Sequence, residues 1–235
     1  MQDMAHQAMG YDRTSTMFSP DGRLLQVEYA KESVKQGATA IGIVCRDGVL
    51  LVADKRVTDR LVVAESVEKI FQVDEHIGAT ATGFTMDGRV LIERARVVAQ
   101  QHMVTYGVAI DTIDLVKEIC DVKQFYTQYG GARPFGVSIL FVGVDDNPGL
   151  YVTDPTGIYF EYKATAVGEA DSEIKAVLNK EYKETMSIDE GLKLAITAFK
   201  KVLGKDFDLR RLDAAFIKSG EKKFTKVDKK KLKLQ

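Results

Sequence analysis

Two cysteines and three histidines are the first residues of this 235-residue chain to test for chemistry. Cys45 and Cys120 each lie in an apolar stretch with no CxxC partner, which suits small buried hydrophobes better than a redox pair or zinc thiolates. His6, His76 and His102 show no ligand spacing and no accompanying Cys pair, so neither a metal nor another cofactor is expected. Lys and Arg number 33 against 34 Asp and Glu, a net charge of −1. That balance gives no general pull toward nucleic acid or a membrane surface. Lys229-Lys230-Lys231-Leu232-Lys233 is a basic run without interleaved aromatics and reads as a solvated terminus. No apolar run approaches the roughly 20 residues that a spanning helix needs. Met1 to Gly10 include Asp3 and lack the apolar centre of a signal peptide, so the chain is expected in the cytosol.

The elements follow from period and punctuation. Tyr11-Asp12-Arg13 opens an organised N-terminal stretch, and Pro20-Asp21-Gly22 carries turn chemistry. A helix is expected over residues 23–36, with Leu24, Val27, Ala30 and Val34 on one side and Gly37 placed to end it. Its apolar stripe needs a partner, either its own domain or neighbouring subunits. Residues 38–45 and 49–54 read as two strands around the turn Arg46-Asp47-Gly48, apolar enough for burial on both faces. Leu61-Val62-Val63, Ile70-Phe71-Gln72-Val73 and residues 77–83 are expected as further strands. The period then changes. Residues 87–106, with Val90, Leu91, Ala95, Val98 and Met103, and residues 112–128, with Leu115, Val116, Ile119, Cys120 and Phe125, read as amphipathic helices. Strands return over 136–144, 150–152 and 158–162. A second helix pair covers 170–183 and 188–203, the latter opened by a capping box, Ser187 with Glu190, and stopped by Gly204. Strands at 214–217 and 223–225 close the chain. Two helix pairs bracketing runs of strands suggest two stacked sheets with helices on the outer faces. No Pro/Gly/Ser linker and no internal repeat divides the chain.

Residues 11–37 closely resemble the N-terminal signature of alpha-type subunits of the proteasome core particle, particularly the archaeal kind. The resemblance extends to about residue 225. It implies an α+β fold, a four-layer αββα sandwich of the N-terminal-nucleophile hydrolase type with an extra N-terminal helix. On that reading 1–235 is one domain: a gating tail and turn (1–22), the N-terminal helix (23–36), the sandwich body (38–226) and a basic tail (227–235).

Catalytic beta-type subunits of that fold use an N-terminal threonine whose hydroxyl attacks the peptide and whose freed amine is the base. Asp54 and Lys69 resemble the acid and the lysine of the beta pattern, but Ala38 stands where the threonine belongs and has no nucleophilic oxygen. Thr39 is one residue off, on the opposite face of a strand. The turn and helix before Ala38 look like retained structure, which would block a free amine. No catalytic residue is therefore expected. The resemblance assigns other roles: Tyr11, Asp12, Pro20 and Tyr29 to the gate, and Lys69, Gly83 and Phe84 to a pocket for the C-terminal carboxylate of an activating ATPase ring. Tyr129, Gly130, Gly131, Ala132 and Arg133 are assigned to the annulus of the pore. Phe84 departs from the leucine of the family pattern. Simpler roles compete: Lys69 as an exposed lysine or one paired with Glu68 or Glu65, Tyr29 as a packed helix aromatic, residues 129–136 as a plain helix-to-strand loop. The resemblance implies a homo-heptameric alpha ring that docks on beta-type subunits, admits unfolded polypeptides and excludes folded ones. A catalytic N-terminal threonine peptidase, cut before Ala38 or Thr39, and a scaffold unrelated to proteolysis are the alternatives.

Overall fold

The computed structural model describes residues 9–57, 61–63 and 66–228. The basic run at 229–233, most of the 1–10 tail and Glu65 lie outside the described residues. The elements are α1 (Leu25–Lys35), β1 (Ala40–Cys45), β2 (Gly48–Asp54), β3 (Ile70–Asp74), β4 (Ile77–Gly83), α2 (Thr85–Tyr106), α3 (Thr112–Gln128), β5 (Val137–Val144), β6 (Pro148–Thr153), β7 (Tyr159–Glu161), β8 (Ala164–Val167), α4 (Asp171–Glu181), α5 (Ile188–Leu203), β9 (Leu212–Lys218) and β10 (Phe224–Lys226). One sheet runs β10-β9-β2-β1-β8 and the other β3-β4-β5-β6-β7, and neighbouring strands in both are antiparallel.

The continuous apolar strands are explained by burial on both faces. Leu50 and Val52 of β2 face α4 and α5, packing with Ile174, Leu192 and Phe199. Val49, Leu51 and Ala53 of the same strand face the other sheet and meet Leu140 and Val142 of β5. On β5 the alternation continues outward, with Ile139 and Phe141 packing against Leu91, Leu115 and Ile119 of α2 and α3. Period two sends successive side chains to opposite faces, so each central strand serves two cores. The result is the helix–sheet–sheet–helix sandwich expected from the sequence.

The second helix pair starts as its sequence predicts. Ser187 Oγ accepts from Glu190 N–H, and Glu190 Oε2 accepts from Ser187 N–H at 2.7 Å. Other expectations are corrected. Leu61-Val62-Val63 forms no strand, and Leu61 is 92% exposed. β-branched residues favour strands only where a sheet offers pairing and burial, and this segment is exposed and outside both sheets. Strand β8 (Ala164–Val167) was not anticipated; it pairs with β1 at the sheet edge. On α2 and α3, Val90, Met103 and Phe125 are exposed, whereas Lys123 is fully buried with its Nζ donating to Thr153 Oγ1 at 2.9 Å.

Helix α1 buries Leu25, Val27, Ala30 and Val34 against its own sandwich, on β4 and β5. The stripe is thus covered within the chain, and Tyr29 and Glu32 on the other side are exposed. Gly37 follows the helix but is not in the left-handed conformation of a typical glycine stop. It is needed for proximity: a Cβ there would overlap the backbone nitrogen of Gly83 and come within 2.8 Å of Thr82 Cγ2. Gly37→Ala is expected to lower stability by roughly 1–3 kcal/mol through overpacking. Denaturant unfolding of the full chain measures it, and an unchanged midpoint would mean that α1 is not seated closely on β4.

Candidate functional site

The remnants of the catalytic pattern lie together, each tied into structure. The peptide runs unbroken from α1 into β1: Gly37 N–H donates to Val34 O at 3.0 Å, and Gly37 O accepts from Glu169 N–H at 3.0 Å. Ala38 therefore has a peptide nitrogen, not an amine, and its carbonyl accepts from Thr82 Oγ1 at 3.1 Å. Thr39 is buried, and its hydroxyl accepts from Ala170 N–H at 3.4 Å. Asp54 is buried at the end of β2. Arg211 Nε and Nη2 donate to its two oxygens at 3.1 and 2.6 Å, and Arg56 N–H donates to Oδ1 at 2.9 Å. No oxygen nucleophile stands at residue 38, and the acid is consumed by an ion pair.

Lys69 differs from these. Among the described residues it forms no ion pair. Glu68, offered as its partner, is bound instead by Lys226 Nζ at 2.5 Å. Burial pushes the Lys69 amine down to about 8 from 10.5; nearby Asp54 draws it up, and Arg56 pushes it down further. Arg56 is itself held, donating to Gln36 O at 3.1 Å and ion-paired with Glu169. A partly buried ammonium with no ion pair among the described residues is an environment that favours an added anion.

Tyr29, Glu32, Ser33, Gln36, Gly37, Gly83 and Phe84 line a groove of about 430 Å³. The groove thus joins Gly83 and Phe84 of the expected pocket to Tyr29 of the expected gate, while Lys69 is not among its lining residues. Gly83 has φ +116°, and a Cβ on it would overlap the carbonyl oxygen of Gly136. Of the other gate residues, Asp12 meets Tyr29: the phenol donates to Asp12 Oδ2 at 3.5 Å, and Gln26 Nε2 donates to Asp12 O at 2.5 Å. Pro20 is exposed in a turn closed by Gly22 N–H donating to Ser19 O at 2.8 Å and Ser19 N–H donating to Arg23 O at 2.9 Å. Tyr11 is partly buried.

Residues 129–133 join α3 to β5. Tyr129 stacks on Phe125 with ring centroids 5.3 Å apart, and Gly131 has φ +87°. Arg133 is bound by Asp87 of α2, a residue that sequence reasoning missed. Burial alone would raise the Asp87 pKa, but hydrogen bonds from Arg133 and Gly136 N–H outweigh it and hold the carboxyl below its ordinary value. Ser33 and Gly136 were missed as well; Ser33 Oγ donates to Gly136 O at 2.9 Å. These pairs lie 46 and 103 residues apart, so no local pattern announces them. Among the described residues no group of three or more His, Cys, Asp or Glu is arranged to hold a metal ion, and no helix is long and apolar enough to cross a membrane.

A family model described as "Proteasome subunit" matches residues 34–217, and a second, for the N-terminal signature of A-type proteasome subunits, matches residues 11–32. The chain is 50% identical over 223 residues to the proteasome alpha subunit of Pyrococcus abyssi, covering 95% of this chain and 85% of that protein. To the proteasome alpha subunit of Archaeoglobus fulgidus it is 49% identical over 225 residues, covering 96% and 92%. To that of Methanosarcina acetivorans it is 51% identical over 220 residues, covering 93% and 89%.

The Lys69 environment has a pH signature. Its folded pKa of about 8 lies below the ordinary 10.5. Between those values the unfolded chain holds a proton that the folded chain has lost, so this group makes stability rise with pH in that window. Lys69→Met removes the contribution. The variant should be more stable than wild type below pH 8, with the difference fading toward pH 10.5. Denaturant unfolding across that range checks it, and a pH-independent difference would contradict a depressed amine.

Proposed function

Because the chain belongs to the proteasome subunit family and is of its alpha type, we propose that it forms a homo-heptameric outer ring that gates entry of unfolded polypeptide. Alpha-type members are the non-catalytic ring members of the proteasome, and the beta-type subunits carry the catalytic threonine. The ring would dock on beta-type subunits in the cytosol. The C-terminal carboxylates of an ATPase activator ring would bind beside Lys69. In this reading Tyr11, Asp12, Pro20 and Tyr29 hold the tails in the open arrangement, and residues 129–133 form the annulus. Selectivity comes from exclusion, since a narrow annulus and crowded tails keep folded proteins from active sites held by other chains.

The observations that carry this reading are the groove shared by Tyr29, Gly83 and Phe84 and a partly buried Lys69 with no ion pair among the described residues, linked through Arg56, which acts on the Lys69 charge and donates to Gln36 O in the groove lining. A peptide tail lying in the groove could place its terminal carboxylate by the ammonium and its backbone against Gly83, where no side chain intervenes. Tyr29 on the groove wall also touches Asp12, so tail binding and the N-terminal segment share a residue. The activator shifts the gate only as far as it binds the open arrangement more tightly than the closed one.

The chain assembled with its beta-type partner provides the test. Removing residues 2–12 should raise hydrolysis of a short fluorogenic peptide several-fold without activator. Lys69→Ala should leave the basal rate unchanged and abolish stimulation by a peptide that ends like an activator tail. Amidating that peptide's C-terminus should abolish stimulation of wild type. Stimulation that survives both Lys69→Ala and amidation would contradict carboxylate capture at Lys69.

A further inference from the structure

Residues 129–133 have little to hold them. A Cβ on Gly130 or Gly131 would meet nothing within 4 Å. Within the loop, Ala132 N–H donates to Tyr129 O at a long 3.4 Å. Two side chains tether the ends. Tyr129 stacks on Phe125, but both rings are more than half exposed. The stronger tether is Arg133. Its Nη1 and Nη2 donate to Asp87 Oδ2 and Oδ1 at 2.6 and 2.7 Å. Gly136 N–H donates to Asp87 Oδ2 at 2.9 Å, and Asp87 is only 6% exposed.

A forked guanidinium on a carboxylate fixes orientation as well as distance, which a point charge does not. Asp87 also lies in the first turn of α2, where the helix dipole favours a negative charge. That helix springs from the groove floor. Phe84 N–H donates to Gly136 O at 2.9 Å, and the same oxygen accepts from Ser33 Oγ. The Arg133 guanidinium stands 5.5 Å from the centroid of the Phe84 ring. One carboxylate therefore holds both ends of the segment 133–136 against the helix that carries the groove floor.

We propose that Asp87 is a positioning residue for the pore loop: its buried carboxylate clamps Arg133 and Gly136 and so registers residues 129–132 against the groove floor of Gly83 and Phe84. The inference rests on the reading of residues 129–133 as the annulus. The Arg133 side chain is 52% exposed, so without its partner it turns into water instead of being stranded. Loss of the Asp87 charge should thus free the loop without unfolding the sandwich.

The test is the spread of distances between pore loops in the full chain assembled with its beta-type partner. Ala132→Cys provides one spin-label site per chain. The native Cys45 and Cys120 are buried, and burial pushes their thiols up to about 12 and 11, so they resist labelling. Wild type should give a narrow distribution by pulsed electron resonance. Asp87→Asn should broaden it at least twofold, and Arg133→Lys, which keeps charge but loses the fork, should broaden it too. Ser187→Ala removes a helix cap remote from the loop and should destabilise the chain without broadening. A distribution as narrow in Asp87→Asn as in wild type overturns the proposal, as does equal broadening in Ser187→Ala, which would report general loosening. Labels too far apart to share an axis, yet broadened by Asp87→Asn, would support the clamp and overturn only the annulus reading.

Discussion

Three backbones meet at a place where no side chain fits. A Cβ on Gly37 would overlap Gly83, one on Gly83 would overlap the carbonyl of Gly136, and one on Gly136 would come within 2.5 Å of the Phe84 ring and 2.7 Å of Ser33 Oγ. This contact brings the C-terminal end of α1, the end of β4 and the start of β5 together. Without it α1 would stand off the sheet, and the buried face of Leu25, Val27, Ala30 and Val34 would lose its seat. The groove lined by Tyr29, Gly83 and Phe84 exists because the helix lies this close. The loop 129–133 depends on the same point, since Gly136 lies three residues beyond Arg133 and shares Asp87 with it. Glycine's lack of a side chain here serves close approach more than turn geometry.

The chain keeps much of a catalytic framework while lacking its chemistry. The hydroxyl of Thr39 is engaged with Ala170 N–H, and the carboxylate of Asp54 with Arg211 and Arg56. The helix before Ala38 is continuous with the strand after it, which removes the amine that an N-terminal threonine would use as base. Lys69 is the exception to this conversion into structure. It remains partly buried and without an ion pair among the described residues, with its amine pushed down to about 8. A cation held in that state costs stability in the folded chain.

Much of the fold was legible in the sequence because both faces of the sandwich impose simple periods. The uninterrupted apolar residues of β1 and β2 reported two cores at once, and Ser187 with Glu190 marked a helix start confirmed to the residue. Where local preference and tertiary context diverged, the sequence misled. Leu61-Val62-Val63 has strand residues but no sheet to join, while β8 is a short strand recruited by the edge of β1. Phe125, read as part of the apolar face of α3, faces solvent, while the nearby Lys123 is buried against Thr153. The candidate site was legible as single residues and not as partnerships. Asp12 with Tyr29, Ser33 with Gly136 and Asp87 with Arg133 are made by tertiary folding, and nothing in local spacing encodes them.

The central claim is that this chain is a retained-tail, non-catalytic ring subunit. Native mass spectrometry of the purified chain, combined with its denatured mass, tests it most directly. The account predicts full-length chains of 26.1 kDa assembled in multiples of seven. Chains shortened to begin at Ala38 or Thr39 would contradict it, because that cleavage would free the very amine that α1 and Gly37 now bury in a continuous peptide.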